Sequence, residues 1–338
     1  MIRVSALLSG LLVPLFATAC DAGAPVSHSD ATVPTPTWAP PAATPAAGSV
    51  FAAGAGPSSV AVEVGGQRMA VGLQDALVVL RDDGTRVASV PVDAPVLAVV
   101  ALPGGGFRAL SGTAVLTLPP LPAAASSAPG GSWPGLTRWL LPAAGSALAV
   151  PPTGDWTAVT VPSRGEVIIV SATGTAARTI KAGGRPSAIA ADATRIAVVD
   201  ATQSSLTVFD PATGAKQEAL RAGDGAATVT ADGTGRFVVV DARDGELLVF
   251  ETGPLVLRQR HPVPGTPYGA AYDPARRTLW VAVTQRNEVA GYDLSGGAPR
   301  EIARHPAVRL PVLLAVDPRT GTVVVAGSAD GLVQRISP

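Results

Sequence analysis

Cysteine and histidine are scarce in this 338-residue chain, which contains the single cysteine Cys20 and three histidines. A lone thiol cannot form an intramolecular disulfide, and it excludes a metal site built from several thiolates. Basic and acidic residues balance at 25 each, so the net charge does not indicate a nucleic-acid partner. Only 15% of the residues are charged and 47% are apolar, against roughly 25% charged in an average domain. The composition therefore predicts a fold that buries much of its surface.

Catalytic motifs are also missing from the sequence. It has no G-x-S-x-G elbow, no H-E-x-x-H pair and no phosphate-binding loop. The only lysines are Lys181 and Lys216, neither of which follows a glycine-rich turn, and Asn287 is the sole asparagine. We therefore expect no catalytic residue, metal or cofactor, and a protein that binds rather than catalyses.

The first twenty residues have the parts of an export signal. A basic start at Arg3 precedes a 13-residue apolar stretch from Val4 to Phe16, and the small residues Ala17-Thr18-Ala19 precede Cys20. Thirteen residues are too few for a helix that spans a bilayer. The pattern predicts a signal peptide over residues 1–19.

The position of Cys20 resembles that of the acylated cysteine in bacterial lipoprotein signals, although Ala17 stands where that family usually has leucine. The resemblance implies a diacylglycerol and a palmitate on Cys20, and an extracytoplasmic protein held on the cell membrane by this lipid. The alternative is an ordinary secretory signal, because Ala17-Thr18-Ala19 also satisfies the A-x-A rule.

A change of composition near residue 48 predicts a domain boundary. Residues 20–48 are almost all Ala, Pro, Thr and Ser, with Trp38 as the one large apolar side chain. Such a stretch cannot offset the entropy lost on ordering, so we expect a disordered spacer. Residues 49–338 consist instead of short Val, Ile, Leu and Ala runs broken by Gly, Asp and Pro, the pattern of short β-strands.

These runs repeat along the chain. The last five units, of about 40 residues each, begin at steps of 40, 40, 41 and 44, and a complete unit contains four short strand patterns. That period is typical of a β-propeller blade. Including the more divergent early copies, the units begin at Pro57, Pro95, Ser146, Pro186, Ala226, Pro267 and Pro311. The prediction is an all-β, seven-bladed propeller of four-stranded antiparallel blades.

Two irregular units fit a closed ring. The second contains an insertion, Pro119 to Gly135, that we expect to be disordered and to separate its third and fourth strands. The last has only three strand patterns, so we expect an N-terminal strand from Ser49 to Ala53 to complete it and remove an exposed edge. The alternative is six blades and an irregular first segment.

The repeat resembles the YVTN family of propellers through Val208-Phe209-Asp210, Thr213-Gly214 and Gly184-Arg185-Pro186. More narrowly, the stretch from Ala219 to Phe250 looks like a group of conserved actinobacterial propeller lipoproteins. The resemblance implies the fold and the location, and it assigns no activity.

Two sets of polar residues recur with the repeat and have structural explanations. Asp192, Asp232, Asp273 and Asp317, with Glu63 in the first unit, each lie six residues after the start of their own unit. We expect them to cap turns by accepting backbone N–H bonds, rather than to bind calcium. His261 and His305 end equivalent strands, which favours a strand-end role over joint ligation of one metal.

The remaining polar residues lie in loops that a propeller places on one face, namely the loops from second to third strands and the connections between blades. We predict a binding surface there for a protein or small polar ligand of the cell envelope. The alternatives are ordinary solvated loops and a lactonase-type hydrolase that uses the central channel. We expect a monomer that acts as a binding or scaffold module and binds no nucleic acid. The candidate residues are Arg164, Arg185, Asp200, Asp241, Arg243, Tyr268, Arg286, Asn287 and Arg309.

Overall fold

The computed structural model describes residues 33–42, 44–122 and 133–337, and it leaves the side chains of residues 176 and 177 undescribed. The predicted signal peptide, Cys20, the first part of the predicted spacer and the middle of the insertion lie outside these ranges. Within them, 28 strands form seven four-stranded antiparallel sheets. The seven sheets confirm the prediction of seven blades and rule out the six-blade alternative.

The first strand, β1, spans Ser49–Ala52 and precedes the blades. Blade 1 contains β2 Ser59–Val62, β3 Arg68–Gly72, β4 Ala76–Arg81 and β5 Arg86–Pro91. Blade 2 contains β6 Val96–Ala101, β7 Phe107–Ser111, β8 Ala114–Leu118 and β9 Thr137–Leu140. Blade 3 contains β10 Leu148–Ala149, β11 Trp156–Val161, β12 Glu166–Ser171 and β13 Ala176–Lys181.

Blade 4 contains β14 Pro186–Ala191, β15 Ile196–Asp200, β16 Ser205–Phe209 and β17 Lys216–Arg221. Blade 5 contains β18 Ala226–Ala231, β19 Arg236–Asp241, β20 Glu246–Glu251 and β21 Val256–Pro262. Blade 6 contains β22 Pro267–Asp273, β23 Thr278–Val283, β24 Glu288–Asp293 and β25 Arg300–Pro306. Blade 7 contains β26 Pro311–Val316, β27 Val323–Gly327 and β28 Leu332–Ile336. Two 3-10 turns, Pro162–Arg164 and Thr284–Arg286, join the second and third strands of blades 3 and 6.

The N-terminal strand β1 closes the ring. It pairs antiparallel with β28, and the register runs from Ser49 opposite Arg335 to Ala52 opposite Leu332. The sheet order β1-β28-β27-β26 gives blade 7 its fourth strand, as the three strand patterns of the last unit predicted.

The core lies between neighbouring blades and explains the composition of each strand. Middle strands such as β23 are buried along their whole length, whereas the outer strand β17 is exposed throughout. Between blades 4 and 5, Val199 and Val208 pack with Phe237 and Phe250 in one buried cluster. Burying such side chains contributes about 1.5–3 kcal/mol each, which holds adjacent blades together without disulfides.

The insertion separates β8 from β9, as predicted, and its described ends are packed. Trp133 is almost fully buried in the cluster between blades 1 and 2, and its indole Nε1 donates to the carbonyl of Pro119 at 2.8 Å. The inner part of the predicted insertion, residues 123–132, lies outside the described residues.

The recurring aspartates cap the turns between first and second strands, as predicted. Asp273 Oδ1 accepts the N–H groups of Ala275 at 2.9 Å and Arg276 at 3.1 Å, and Asp192 and Asp232 accept equivalent bonds. Glu63 differs, because its Oε1 accepts the N–H of Gly106 in the next blade at 2.9 Å. The longer glutamate side chain therefore joins two blades instead of capping its own turn.

Candidate functional site

The nine predicted surface residues occur on one edge of blades 3 to 7, which we call the connector face. This face consists of the loops from second to third strands and of the connections from each fourth strand to the next blade. The two kinds of loop share an edge because the strands of each blade alternate in direction. All nine residues lie in these loops or at the strand ends beside them. Their side chains nevertheless fall into four groups: buried turn caps, ion-paired arginines, residues that bind the chain's own N-terminal segment, and exposed unpaired arginines.

Asp200 and Asp241 form the connector face instead of offering their charge to a ligand. Asp241 is fully buried, and its carboxylate accepts the N–H groups of Asp224 at 2.8 Å, Asp244 at 3.0 Å and Arg243 at 3.1 Å. The carboxylate of Asp200 likewise accepts bonds from the N–H groups of Arg185 at 2.7 Å and Thr202 at 2.9 Å. In the strand register, Asp200 and Asp241 each pair with the first residue of their own blade. This equivalent position in two blades indicates a structural role.

Arg164 and Arg243 are engaged by acidic neighbours on the same face. Arg164 Nε contacts Glu166 Oε2 at 2.7 Å, and Lys181 pairs with the same carboxylate. Hydrogen bonds from Arg164 and Lys181 hold the pKa of Glu166 below its ordinary value. Arg243 Nη1 donates to the carbonyl of Asp224 at 2.6 Å and contacts its carboxylate at 3.2 Å.

Tyr268, Asn287 and Arg309 bind the chain's own residues 33–42, which we call the strap. The Tyr268 hydroxyl donates to the carbonyl of Pro34 at 3.3 Å. Asn287 Nδ2 donates to the carbonyl of Pro40 at 2.8 Å, and Arg309 Nε donates to that of Ala39 at 3.4 Å. Part of the predicted spacer therefore lies on the predicted binding surface. The boundaries at residues 19 and 48 stay predictions.

Further contacts fix the path of the strap from blade 6 towards blade 7. The N–H of Thr37 donates to Thr284 Oγ1 at 3.2 Å, and its hydroxyl donates to Thr266 Oγ1 at 3.2 Å. The guanidinium of Arg309 stacks over the Trp38 ring, 5.3 Å from its centre. Beyond the strap, Gln334 Nε2 donates to the carbonyl of Ala47 at 2.7 Å, just before β1 begins.

Asn287 is the most constrained residue of the connector face. It is 1% exposed and adopts a left-handed backbone conformation with φ of 50°, which asparagine tolerates better than most residues. Its Oδ1 accepts the N–H of Leu310 at 2.9 Å while its Nδ2 binds the strap. One side chain thus connects its own blade, the connection to blade 7 and the strap.

Exposed polar groups also remain on the connector face. Arg185 and Arg286 are exposed, and neither guanidinium has a hydrogen bond or ion pair within residues 33–42, 44–122 and 133–337. A groove of about 330 Å³ between blades 5 and 6 is lined by Arg243, Asp244, Thr266 and Gln285, among others. Burial and the nearby carboxylates of Asp241 and Asp224 raise the pKa of Asp244.

The central channel has a different chemistry. A cavity of about 200 Å³ there is lined by residues of the first strands, including Val99, Leu148, Ala270 and Leu314, and its polar side chains are serine and threonine hydroxyls. Among the described residues, no group of three or more His, Cys, Asp or Glu side chains is placed to hold a metal ion.

His261 and His305 lie on the outer strands of blades 5 and 6 and pack against aromatic rings. His261 meets Tyr292 edge-on with ring centres 5.3 Å apart, and His305 lies 5.8 Å from Trp280. Burial lowers the pKa of His261. These contacts agree with a packing role at strand ends.

No protein-family model matches the sequence, and a search of curated proteins finds no match. Solved structures do match. One is a chain of Kuenenia stuttgartiensis hydrazine synthase, with a TM-score of 0.69 and 15% identity over 84% of this chain and 96% of that one. Another is the β-propeller domain of Myceliophteria thermophila Cps50 (Swd1), with a TM-score of 0.67 and 10% identity over 84% and 97%.

The chain has a seven-bladed β-propeller fold. At 10–15% identity the likeness shows the fold alone, and one fold can host many unrelated functions. One of the two similar chains comes from an enzyme, so the likeness does not decide between binding and catalysis. The narrower resemblance to YVTN propellers and propeller lipoproteins stays a prediction.

Proposed function

We propose that this protein is a lipid-anchored, extracytoplasmic propeller that binds a protein or polar ligand of the cell envelope through its connector face. The observation that carries the proposal is the distribution of uncommitted polar groups. Arg185 and Arg286 are exposed and unpaired among the described residues, and a polar groove lies on the same face between blades 5 and 6. Arginines often carry a large share of the affinity at protein interfaces.

The alternative of a lactonase-type hydrolase gains no support from the channel. The described lining residues supply hydroxyl groups and apolar side chains, whereas such a hydrolase would need several converging carboxylate, Asn or His ligands. The groups suited to recognising a polar partner are instead on the connector face.

The position of the strap limits how far the connector face can lie from the proposed lipid anchor. Val33 lies at the connector face, where it lines a groove together with Arg243 and Thr266. Val33 is thirteen residue steps beyond Cys20, and a fully extended chain over those steps reaches about 45 Å. A lipid on Cys20 would therefore keep the connector face within that distance of the membrane. No helix in the described ranges is long and apolar enough to cross a membrane.

Anchoring is tested by replacing the single thiol. We expect Cys20→Ser to move the protein out of the membrane fraction or to leave it unprocessed, because no other residue can carry a thioether-linked lipid. Ala22→Ser is the matched control and should stay in the membrane fraction. Mature wild-type protein that begins at Cys20 without a lipid mass would contradict the proposal.

Recognition is tested with the double variant Arg185→Ala/Arg286→Ala, which leaves the strap contacts intact. Quantitative capture of partners from detergent-solubilised membranes should fall at least several-fold, at an unchanged melting temperature. The control is Lys216→Ala/Arg300→Ala, which removes two exposed charges at the outer strands β17 and β25. Equal losses in both variants would show that capture reflects charge alone, and no loss in either would place the site elsewhere.

A further inference from the structure

We propose that the connector face from blade 6 to blade 7 is a binding site for extended, proline-rich peptides, and that the strap is its occupant in cis. This inference deepens the proposed function and rests on it, because it names the ligand class for the connector face. The site consists of Tyr268, Thr284, Asn287 and Arg309, which bind four different residues of the strap.

The hydrogen-bonding groups of this site match a peptide that has few backbone N–H donors. The strap has proline at positions 34, 36, 40 and 41, and proline has no N–H. The face supplies donors instead: a hydroxyl, a guanidinium and an amide bind the carbonyls of Pro34, Ala39 and Pro40. Its one acceptor for the strap backbone, Thr284 Oγ1, meets the N–H of Thr37, a residue that is not proline. Extended proline-rich segments are preorganised for recognition of this kind.

The buried amide of Asn287 shows that the site is built for a carbonyl ligand. The residue is 1% exposed, and its Nδ2 bonds to Pro40 of the strap. Without an occupant, this donor would lose its protein partner. The site therefore presents a fixed donor for a ligand carbonyl, because Oδ1 of the same amide is held by the N–H of Leu310.

The strap side chains indicate which positions the site discriminates. Pro34 and Ala39 are buried, and Ala39 is 6% exposed, so a large side chain at that position would not fit. Trp38 remains 62% exposed and contacts the face mainly through Arg309. The preferred ligand therefore has proline first, a residue with a free N–H three positions later, and a small residue followed by proline.

The strap is held loosely enough to be displaced. Its contacts are part-buried hydrogen bonds, and only two of its side chains are buried. Its main advantage over a free peptide is its covalent link to β1, which is equivalent to an effective concentration of the order of mM. A proline-rich segment of a partner in the envelope could compete when it is held near this face.

The test measures binding of a fluorescein-labelled peptide with the sequence of residues 33–42, VPTPTWAPPA, to the purified, detergent-solubilised full chain. In the variant Ala39→Phe, the added bulk should expel the strap and leave the face free. We expect this variant to bind the peptide roughly tenfold or more tightly than wild type by fluorescence anisotropy. A full chain with residues 33–42 replaced by a Gly/Ser segment of equal length should behave similarly, and it serves if Ala39→Phe does not fold.

Two controls identify the site. The peptide with phenylalanine at the position of Ala39 should not bind, and adding Asn287→Gly to the open variants should weaken binding of the normal peptide several-fold. Failure of the normal peptide to bind either folded open variant in a saturable manner would overturn the inference. So would equal binding of the normal and phenylalanine-containing peptides. The assay depends neither on membranes nor on Arg185 and Arg286. Its failure would therefore not contradict the proposed anchoring or the proposed recognition, which have separate tests.

Discussion

The two faces of the ring use polar residues differently. On the face that carries the turns between first and second strands, the four recurring aspartates accept backbone N–H bonds within their own turns. On the connector face, Asp200 and Asp241 do the same, but Tyr268, Asn287 and Arg309 bind the strap. The difference shows that recognition should be sought among the groups that the turn chemistry of the repeat does not use.

The largest expected effect comes from removing buried turn caps on both faces. Asp273→Ala and Asp241→Ala should each lower the free energy of unfolding by about 2–3 kcal/mol, because buried N–H groups lose their acceptor. Chemical denaturation measures both values. The half-buried cap Asp210, replaced in the same way, should cost less. A negligible effect of Asp241→Ala would mean that the carboxylates of the two faces are not equivalent.

A moderate loss of stability is expected at Asn287, because its side chain binds the strap as well as the connection to blade 7. Asn287→Gly keeps the left-handed backbone accessible but removes both side-chain hydrogen bonds, so it should lower the unfolding free energy by about 1–2 kcal/mol. Asn287→Ala should cost more, because alanine also disfavours positive φ. Equal losses in the two variants would show that the backbone conformation contributes little.

A smaller, pH-dependent effect should distinguish the turn caps. Burial alone would raise the pKa values of Asp232 and Asp317, but hydrogen bonds from Thr234 and Arg236, and from Thr320, Gly65 and Arg319, outweigh it and lower them. Their stabilising contribution is therefore present above the ordinary value of 3.8 and is lost as the pH falls through the lower folded pKa. Unfolding free energies measured between pH 5 and pH 2 should fall less steeply for Asp232→Asn/Asp317→Asn than for wild type. Parallel curves would contradict this account.

The smallest effect on stability is expected for the exposed arginines. Arg185→Ala and Arg286→Ala should each change the unfolding free energy by about 0.5 kcal/mol or less, since exposed charges contribute little. Thermal melts check this value. A drop of several degrees would show that these arginines, like Asp241, belong to the structure.

Much of the fold could be predicted because the repeat presents the same signal several times. Four first strands, β14, β18, β22 and β26, begin at the residues where the repeat was predicted to start. The weak copies at Pro95 and Ser146 also proved to be blades, although β10 has only two residues. The final unit has only three strand patterns, which correctly predicted that an N-terminal strand, β1, completes blade 7.

The candidate site was less predictable because its residues act through distant contacts. Loop position correctly placed Tyr268, Asn287 and Arg309 on one face, but their partners precede them by more than 220 residues in a stretch without a strand or helix pattern. From its composition alone, that stretch is predicted to be a spacer. No local sequence pattern predicts that the carbonyl groups of a proline-rich segment will accept hydrogen bonds from three side chains of the folded domain.

The central claim, that the strap lies on the connector face, is tested most directly by thiol labelling. In a Cys20→Ser background the chain has no other thiol, so Ala39→Cys and Thr35→Cys each introduce one reporter of similar size to the residue it replaces. Ala39 is buried against the face and Thr35 is exposed, so a thiol at position 39 should react with a disulfide reagent at least about tenfold more slowly than one at position 35. Equal rates would show that the strap is free in solution and would contradict the account.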